Sequence, residues 1–139
     1  MSNSLQSTFS SRGVALTASP GLPYTALTFS FWAVSFTANH HAIFKNVGIT
    51  PIDYPYYDPA TIGLAFQSLL SHLKVAPEKS VFLLHACAHN PTGVDPTPEQ
   101  WNTIADVMLE RGHYAFFDCA YQGFASGDLD RDAAAVRFC

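Results

Sequence analysis

SVFLLHACAHNPTGVDPTPEQWNTIADVMLERGHYAFFDCAYQGFASGDLD, residues 80–130, reads as strand, loop, helix, strand and loop in that order. Val81 to Ala86 is a short apolar run of the length and composition of a strand buried on both faces. Thr97-Pro98-Glu99-Gln100 is a helix start. Thr97 is suited to cap, Pro98 to the first helical position, and Gln100 to reach back and close a capping box. Trp101, Ile104, Ala105, Met108 and Leu109 recur at helical spacing and predict one apolar face, with Gly112 as the stop. Tyr114 to Phe117 is a second apolar run, and it ends in Asp118. Two strands joined by a helix in a unit of this length predict a right-handed parallel crossover. The fold class expected is therefore α/β. In open α/β sheets ligands bind beyond the carboxyl ends of the strands, and Asn90 and Asp118 both fall there.

Outward from this unit, Leu64 to Lys74 is amphipathic, with Phe66, Leu69, Leu70 and Leu73 as its apolar stripe and Pro77 beyond its end. Ile49 to Tyr56 alternates loosely and predicts a strand, and Tyr57-Asp58-Pro59 a turn. Asn39 is read as the cap of a short helix that buries Ile43, Phe44 and Val47 and stops at Gly48. Tyr24 to Phe36 is apolar but is interrupted by Thr and Ser, and falls short of the about 20 residues a bilayer needs, so it reads as a strand. Met1 to Pro23 is rich in Ser and Thr, with one Arg and no acidic residue. It reads as a disordered start, with a mitochondrial transit sequence as the alternative. After Asp118, the loop from Gly123 to Asp130 leads to a short helix over about residues 132–138.

The composition bounds the function. Hydrophobic residues make up 48% of 139 and charged ones 13%, which is apolar for a free-standing domain and fits a piece of something larger. A net charge of −4 gives no case for nucleic acid. Three cysteines without framework spacing point to free thiols in a reducing compartment. Cys119 reads as a small buried hydrophobe.

HACAHNPTGVDPTPEQW and FFDCAYQGFASGDLD, with NHHAIFKNVGI upstream, resemble the aspartate aminotransferase family, class I aminotransferases with the type I fold of pyridoxal 5'-phosphate enzymes. The resemblance covers roughly residues 40–138. It implies a division into an unmatched segment, 1–36, and a partial cofactor-binding domain, 37–139, with a mainly parallel sheet flanked by helices. It also implies roles. Asn90 of the NPTG motif and Tyr121 would hydrogen-bond the cofactor's phenolic oxygen. Asp118 would pair with the pyridine nitrogen. His40 would hydrogen-bond Asp118 from behind, with His85 in support. The Asn90–Pro91 bond is expected to be cis, as in the family. The chemistry wants these groups independently: the cofactor works best as an electron sink when its ring nitrogen stays protonated, and a buried carboxylate holds that proton.

The family reaction moves an amino group between L-aspartate and 2-oxoglutarate, giving oxaloacetate and L-glutamate, by a ping-pong route. Family members are homodimers. No nucleic acid or membrane partner is implied. Val94 and Gly127-Asp128 lean toward the mitochondrial branch, with the cytoplasmic one as the alternative. The chain departs from the family at three places. Thr37 stands where a Trp stacks on the cofactor ring. The Ser-Gly-Thr loop that cradles the cofactor phosphate is not found, and is expected either ahead of Met1 or, diverged, around Ser7 to Ala18. Lys45, Lys74 and Lys79 are the lysines, and none matches the Schiff-base position, expected beyond Cys139. No catalytic residue is assigned, and the chain is expected to be inactive alone.

Plainer readings stand beside these. Asp118 would serve as a cap, Asn90 as turn chemistry before Pro91, and Tyr121 as a loop aromatic. A truncated remnant with residual cofactor or partner binding is one alternative. His85, Cys87 and His89 alternate, so an extended backbone would point them to one face in imitation of a metal site. A small metal-binding protein through these three residues is the other alternative; packing behind the cofactor ring is preferred to it, because no fourth ligand has convincing spacing.

Overall fold

The structure is a computed structural model, and it describes residues 9–10, 13–14, 30–34 and 38–139. Its centre is a parallel four-stranded sheet in the order β4-β3-β7-β8. The strands are β3 (Phe31–Val34), β4 (Ile52–Tyr54), β7 (Val81–His85) and β8 (Tyr114–Asp118). Two small antiparallel ribbons stand apart from the sheet: β1 (Phe9–Ser10) with β2 (Gly13–Val14), and β5 (Tyr57–Asp58) with β6 (Gly63–Leu64). The helices are α1 (Ala38–Asn46), α2 (Phe66–Val75), α3 (Pro98–Arg111), α4 (Leu129–Asp132) and α5 (Ala134–Phe138).

The expected strand–helix–strand unit is present. β7 and β8 pair in parallel from Val81↔Tyr114 to His85↔Asp118, with α3 between them in sequence. This register sets the last residues of both strands side by side. Alternation along the strands then divides the core. Trp32, Phe82 and Leu84 face a cluster with Leu69, Leu70 and Leu73 of α2 and with Trp101, Ile104, Val107 and Met108 of α3. Phe31, Ala33 and Leu83 face the other side, where Phe44 of α1 packs. Period-two alternation in a strand covered on both faces gives this two-layer filling, and each such fully buried side chain contributes about 1.5–3 kcal/mol. Tyr54 is fully buried, and its hydroxyl donates to the Leu83 carbonyl at 2.6 Å, tying β4 across the sheet.

Local signals held where they were self-contained. The Thr97 hydroxyl accepts from Gln100 N while Gln100 Oε1 accepts from Thr97 N at 2.9 Å, and Gly112 closes α3 in the left-handed conformation at φ 64°. α2 ends at Ala76, ahead of Pro77.

Several expectations are corrected. Leu109 is 83% exposed, and Val107 takes its place in the buried face. At about 100° per residue, Trp101, Ile104, Val107 and Met108 share one arc, and Leu109 lies well to its side. Asn39 lies inside α1 and does not cap it, because the helix already includes Ala38. Val47 is exposed; it follows the helix in the turn that Gly48 closes, where Gly48 N and Ile49 N bond back to Lys45 O and Phe44 O. The strand expected over 49–56 shrinks to Ile52–Tyr54, and the turn at Tyr57 becomes the head of the β5–β6 ribbon. The last helix, α5, starts at Ala134, and a separate short helix precedes it: α4 begins at Leu129, where the Asp128 carboxylate caps it through Asp130 N and Arg131 N. Cys119 is exposed because β8 ends at Asp118; the buried thiol is Cys87.

β3 is an interior strand of the sheet, so the sheet takes in residues ahead of the division expected between 36 and 37. Thr37 lies outside the described residues, as do most of the disordered start expected over 1–23 and most of the sequence around Ser7 to Ala18. No helix among the described residues is long and apolar enough to cross a membrane.

Candidate functional site

The carboxyl ends of β7 and β8 carry the chemistry-bearing residues. His85 is the last residue of β7, and Asp118, its register partner, the last of β8. The strand ladder runs one bond further, from Ala86 N to Asp118 O at 2.9 Å. Asp118 Oδ1 accepts from Ala120 N at 2.9 Å, so the carboxylate turns the chain back as β8 ends. Its other oxygen, Oδ2, accepts from His40 Nε2 at 2.8 Å. His40 is buried in α1.

The electrostatics follow from these contacts. The His40 hydrogen bond is the main reason that the Asp118 carboxyl is held below the ordinary carboxylate range; the Ala120 N–H adds to it, while partial burial pulls the other way. His85 is pushed below the usual imidazole value by burial, against the pull of the Asp118 charge. His89 is pushed down to about 4, by burial first and then by the neighbouring imidazoles. The site is therefore an ionised carboxylate backed by buried imidazoles, two of them neutral near pH 7.

The rings form a chain. His40 and His85 lie 5.4 Å apart between centroids, His85 and His89 4.6 Å, and His89 stacks on Tyr56 at 3.8 Å with 18° between planes. The Nε2 atoms of both His85 and His89 are buried without a hydrogen-bond partner. Such atoms are uncommon in a folded interior and mark places where a further group is accommodated or strain is stored.

The loop after β7 is built by its own polar groups. The Asn90–Pro91 bond is cis, as expected. Asp95 accepts from Ala88 N at 2.7 Å through one oxygen and from His89 N at 2.9 Å through the other. His89 Nδ1 lies 2.8 Å from Thr92 Oγ1, which also accepts from Val94 N. The Tyr56 hydroxyl donates to Val94 O at 2.7 Å. These bonds bracket Asn90, which stays exposed. Tyr121 is exposed in the loop after β8, where its carbonyl accepts from Phe124 N and Ala125 N. Asn90 and Tyr121 thus sit on neighbouring loops beyond the same strand ends, with Asp118, His40 and His85 behind them.

Asp95 and Tyr56 were missed as site residues. Asp95 carried a usable signal, an Asp before Pro a few residues after a turn, which is a carboxylate suited to accept from loop amides. Tyr56 carried none, since it approaches from a different part of the chain. The alternating His85, Cys87 and His89 do not form a ligand set. Ala88 has a φ of 46°, which breaks the extended backbone the alternation needs. Among the described residues, the group of three potential ligands brought close together is instead His40, His85 and Asp118. The lysines lie elsewhere: Lys45 and Lys74 are exposed in the last turns of α1 and α2, and Lys79 precedes β7, at the opposite end of the strand from His85. A hollow lined by Met108, His113, Ala115 and Phe138 also lies away from these residues, and none of the site's groups reach it.

A parallel α/β sheet with an ionised aspartate and a polar, self-braced loop at adjacent strand ends has the open-sheet architecture, and its polar groups lie where such sheets bind ligands. The model of the family Aminotransferase class I and II matches residues 34–138, and the chain belongs to that family. It is 61% identical over 99 residues to the cytoplasmic aspartate aminotransferase of Dictyostelium discoideum, covering 71% of this chain and 23% of that one. Against the mitochondrial aspartate aminotransferase of the same organism it is 59% identical, with the same coverage. Among solved structures it resembles a mitochondrial aspartate aminotransferase from Trypanosoma brucei, with a TM-score of 0.77 at 48% identity, over 82% of this chain and 30% of that one. It also resembles an aromatic-amino-acid aminotransferase from Burkholderia pseudomallei covalently bound to pyridoxal phosphate, with a TM-score of 0.74 at 39% identity, over 79% and 28%. The chain thus spans about a quarter of the length of these relatives.

Proposed function

We propose that the chain is the ring-holding part of a pyridoxal 5'-phosphate-binding large domain, from an enzyme that transfers an amino group between L-aspartate and 2-oxoglutarate. The observation that carries this reading is the His40–Asp118 hydrogen bond at 2.8 Å, which keeps a half-buried carboxylate ionised at a strand end. A carboxylate in that state is the partner a protonated pyridine nitrogen requires. When bound, the cofactor supplies a carbon that takes and returns the amino group and a ring that spreads the electron pair left on the substrate.

The chain's own residues fit that group by their chemistry. Asp118 holds the ring proton, and His40 holds Asp118 in place. Asn90, an amide on a braced loop, and Tyr121, a phenol on the neighbouring loop, offer donors to the ring oxygen. His85, buried against His40, fills the space behind. The base that moves the proton on the substrate is an amine in this chemistry. Lys45, Lys74 and Lys79 do not stand at these strand ends, so none of the three is given that role. The unit that binds is the partial domain over 37–139 with β3 added, and the complete enzyme works as a homodimer. Relatives are found in both mitochondria and cytoplasm; Val94 and Gly127-Asp128 support the mitochondrial branch.

A spectral titration of the folded 139-residue chain with pyridoxal 5'-phosphate tests the reading. The expected result is a saturable shift of the cofactor band that Asp118→Ala abolishes. A folded chain with no saturable shift, or one whose shift survives Asp118→Ala, removes it.

A further inference from the structure

Asp132 is only 4% exposed, although it sits on the short helix α4. A carboxylate is taken out of water at low cost only where hydrogen bonds replace the solvent. Here they come from the loop after β8: Asp132 Oδ2 accepts from Gly123 N at 2.8 Å and from Ser126 N at 3.2 Å. The same loop carries Tyr121, whose carbonyl accepts from Phe124 N and Ala125 N. Gln122 Nε2 donates to Leu129 O at 3.2 Å and ties the loop to α4 a second time. The two lie in close contact, since a Cβ on Gly123, at φ 83°, would meet Leu129 Cδ2 at 2.8 Å. Tyr121 itself is 42% exposed, so packing does little to fix it, and its place follows that of the loop. The Asn90 loop is held in the same manner, by Asp95 through Ala88 N and His89 N.

We propose that Asp132 is the positioning residue for Tyr121: by gathering Gly123 N and Ser126 N it fixes the loop ahead of ligand binding and sets the phenol where the cofactor's ring oxygen needs a donor. The inference rests on the cofactor reading given above. Asp132 touches no reacting atom and acts through Tyr121 alone. Bonds from backbone N–H groups to a carboxylate are stronger than those between neutral groups, so one side chain suffices to hold the turn. Each of the two loops that offer a donor to the ring oxygen is thus gathered by a carboxylate a few residues further along the chain, Asp95 for Asn90 and Asp132 for Tyr121.

Binding of pyridoxal 5'-phosphate to the folded chain, read from the cofactor band, tests the proposal in a cycle of Tyr121→Phe, Asp132→Ala and the double variant. Tyr121→Phe is expected to weaken binding about threefold to tenfold, the worth of one hydrogen bond. Asp132→Ala weakens it by as much, and Tyr121→Phe then adds less than about twofold, because the phenol has already left its place. Asp132→Asn keeps a carbonyl oxygen for the two amides and restores most of the affinity together with its dependence on Tyr121. A carboxylate that only stabilised α4 would give losses that add. If Asp132→Ala does not fold, the unmodified chain answers by amide exchange: Gly123 and Ser126 are expected to be protected before any cofactor is added. Additive losses, no effect of either single variant, or exchange at both amides at the rate of an open loop overturns the proposal and leaves the cofactor reading standing. A folded chain that binds no cofactor overturns both.

Discussion

Tyr56 and His89 stack face to face at 3.8 Å, and the same tyrosine donates its hydroxyl to Val94 O at 2.7 Å. One side chain thus holds both flanks of the loop that presents Asn90. Burial keeps the Tyr56 phenol protonated far above its ordinary value, so the donor is permanent. Tyr56→Phe keeps the stack and loses the bond, and is expected to cost about 1 kcal/mol. Tyr56→Ala loses both and is expected to cost about 3–5 kcal/mol. Urea unfolding of the two variants checks this; equal losses would show that the stack contributes nothing.

Asp95 braces the loop from the other side. Both of its oxygens accept backbone N–H groups, from Ala88 and His89. Asp95→Asn leaves one oxygen for two donors and sets an amide N–H against the second. The expected loss is about 1–3 kcal/mol. Amide hydrogen exchange reads it locally: Ala88 and His89 exchange faster, while Leu83 in β7 changes only with global stability. Unchanged protection at both amides would sink the role given to Asp95.

What the sequence made legible was what neighbours in sequence decide. Thr97 with Gln100, Gly112 and the β7-α3-β8 order needed no more than local pattern. Leu109 was misplaced because a helical stripe has a width, and only the tertiary partner picks its centre. The alternation of His85, Cys87 and His89 failed at a single backbone angle, that of Ala88, an unusual conformation for a residue with a Cβ. The His40–Asp118 pair spans 78 positions. Periodicity does not reach that far, and only the family resemblance suggested it. The grouping of His85 with that pair came from the same resemblance and not from any local pattern.

His89 makes the fold acid-sensitive. Its value in the folded chain is about 4 against 6.5 for the free imidazole. The unfolded chain therefore binds more protons between those values. The sign follows: stability is whole above about pH 6.5 and falls as the pH drops toward 4, by about 3 kcal/mol. His85, lowered in the same direction, adds to the loss. Denaturant unfolding at a series of pH values from 7 to 4 checks it. His89→Gln is expected to give a shallower slope; curves of equal slope would show that His89 is not the group responsible.

His40 governs how Asp118 titrates, and two replacements separate donor from bulk. The His40 hydrogen bond is the largest influence holding the Asp118 carboxyl down, and burial opposes it. His40→Leu removes the donor and leaves the burial, so the carboxyl is expected to rise above its ordinary 3.8. His40→Gln offers an amide N–H in place of the imidazole and is expected to keep the carboxyl low. The stability consequence carries a definite sign. A lowered carboxyl contributes stability that is present above the unfolded value and is lost as the pH falls through the folded one. In His40→Leu that contribution vanishes or reverses, and acid unfolding starts at higher pH than in His40→Gln. Carboxyl carbon NMR titration of Asp118 in the two variants decides it, since a common midpoint would mean that something other than the His40 donor sets the charge of this aspartate.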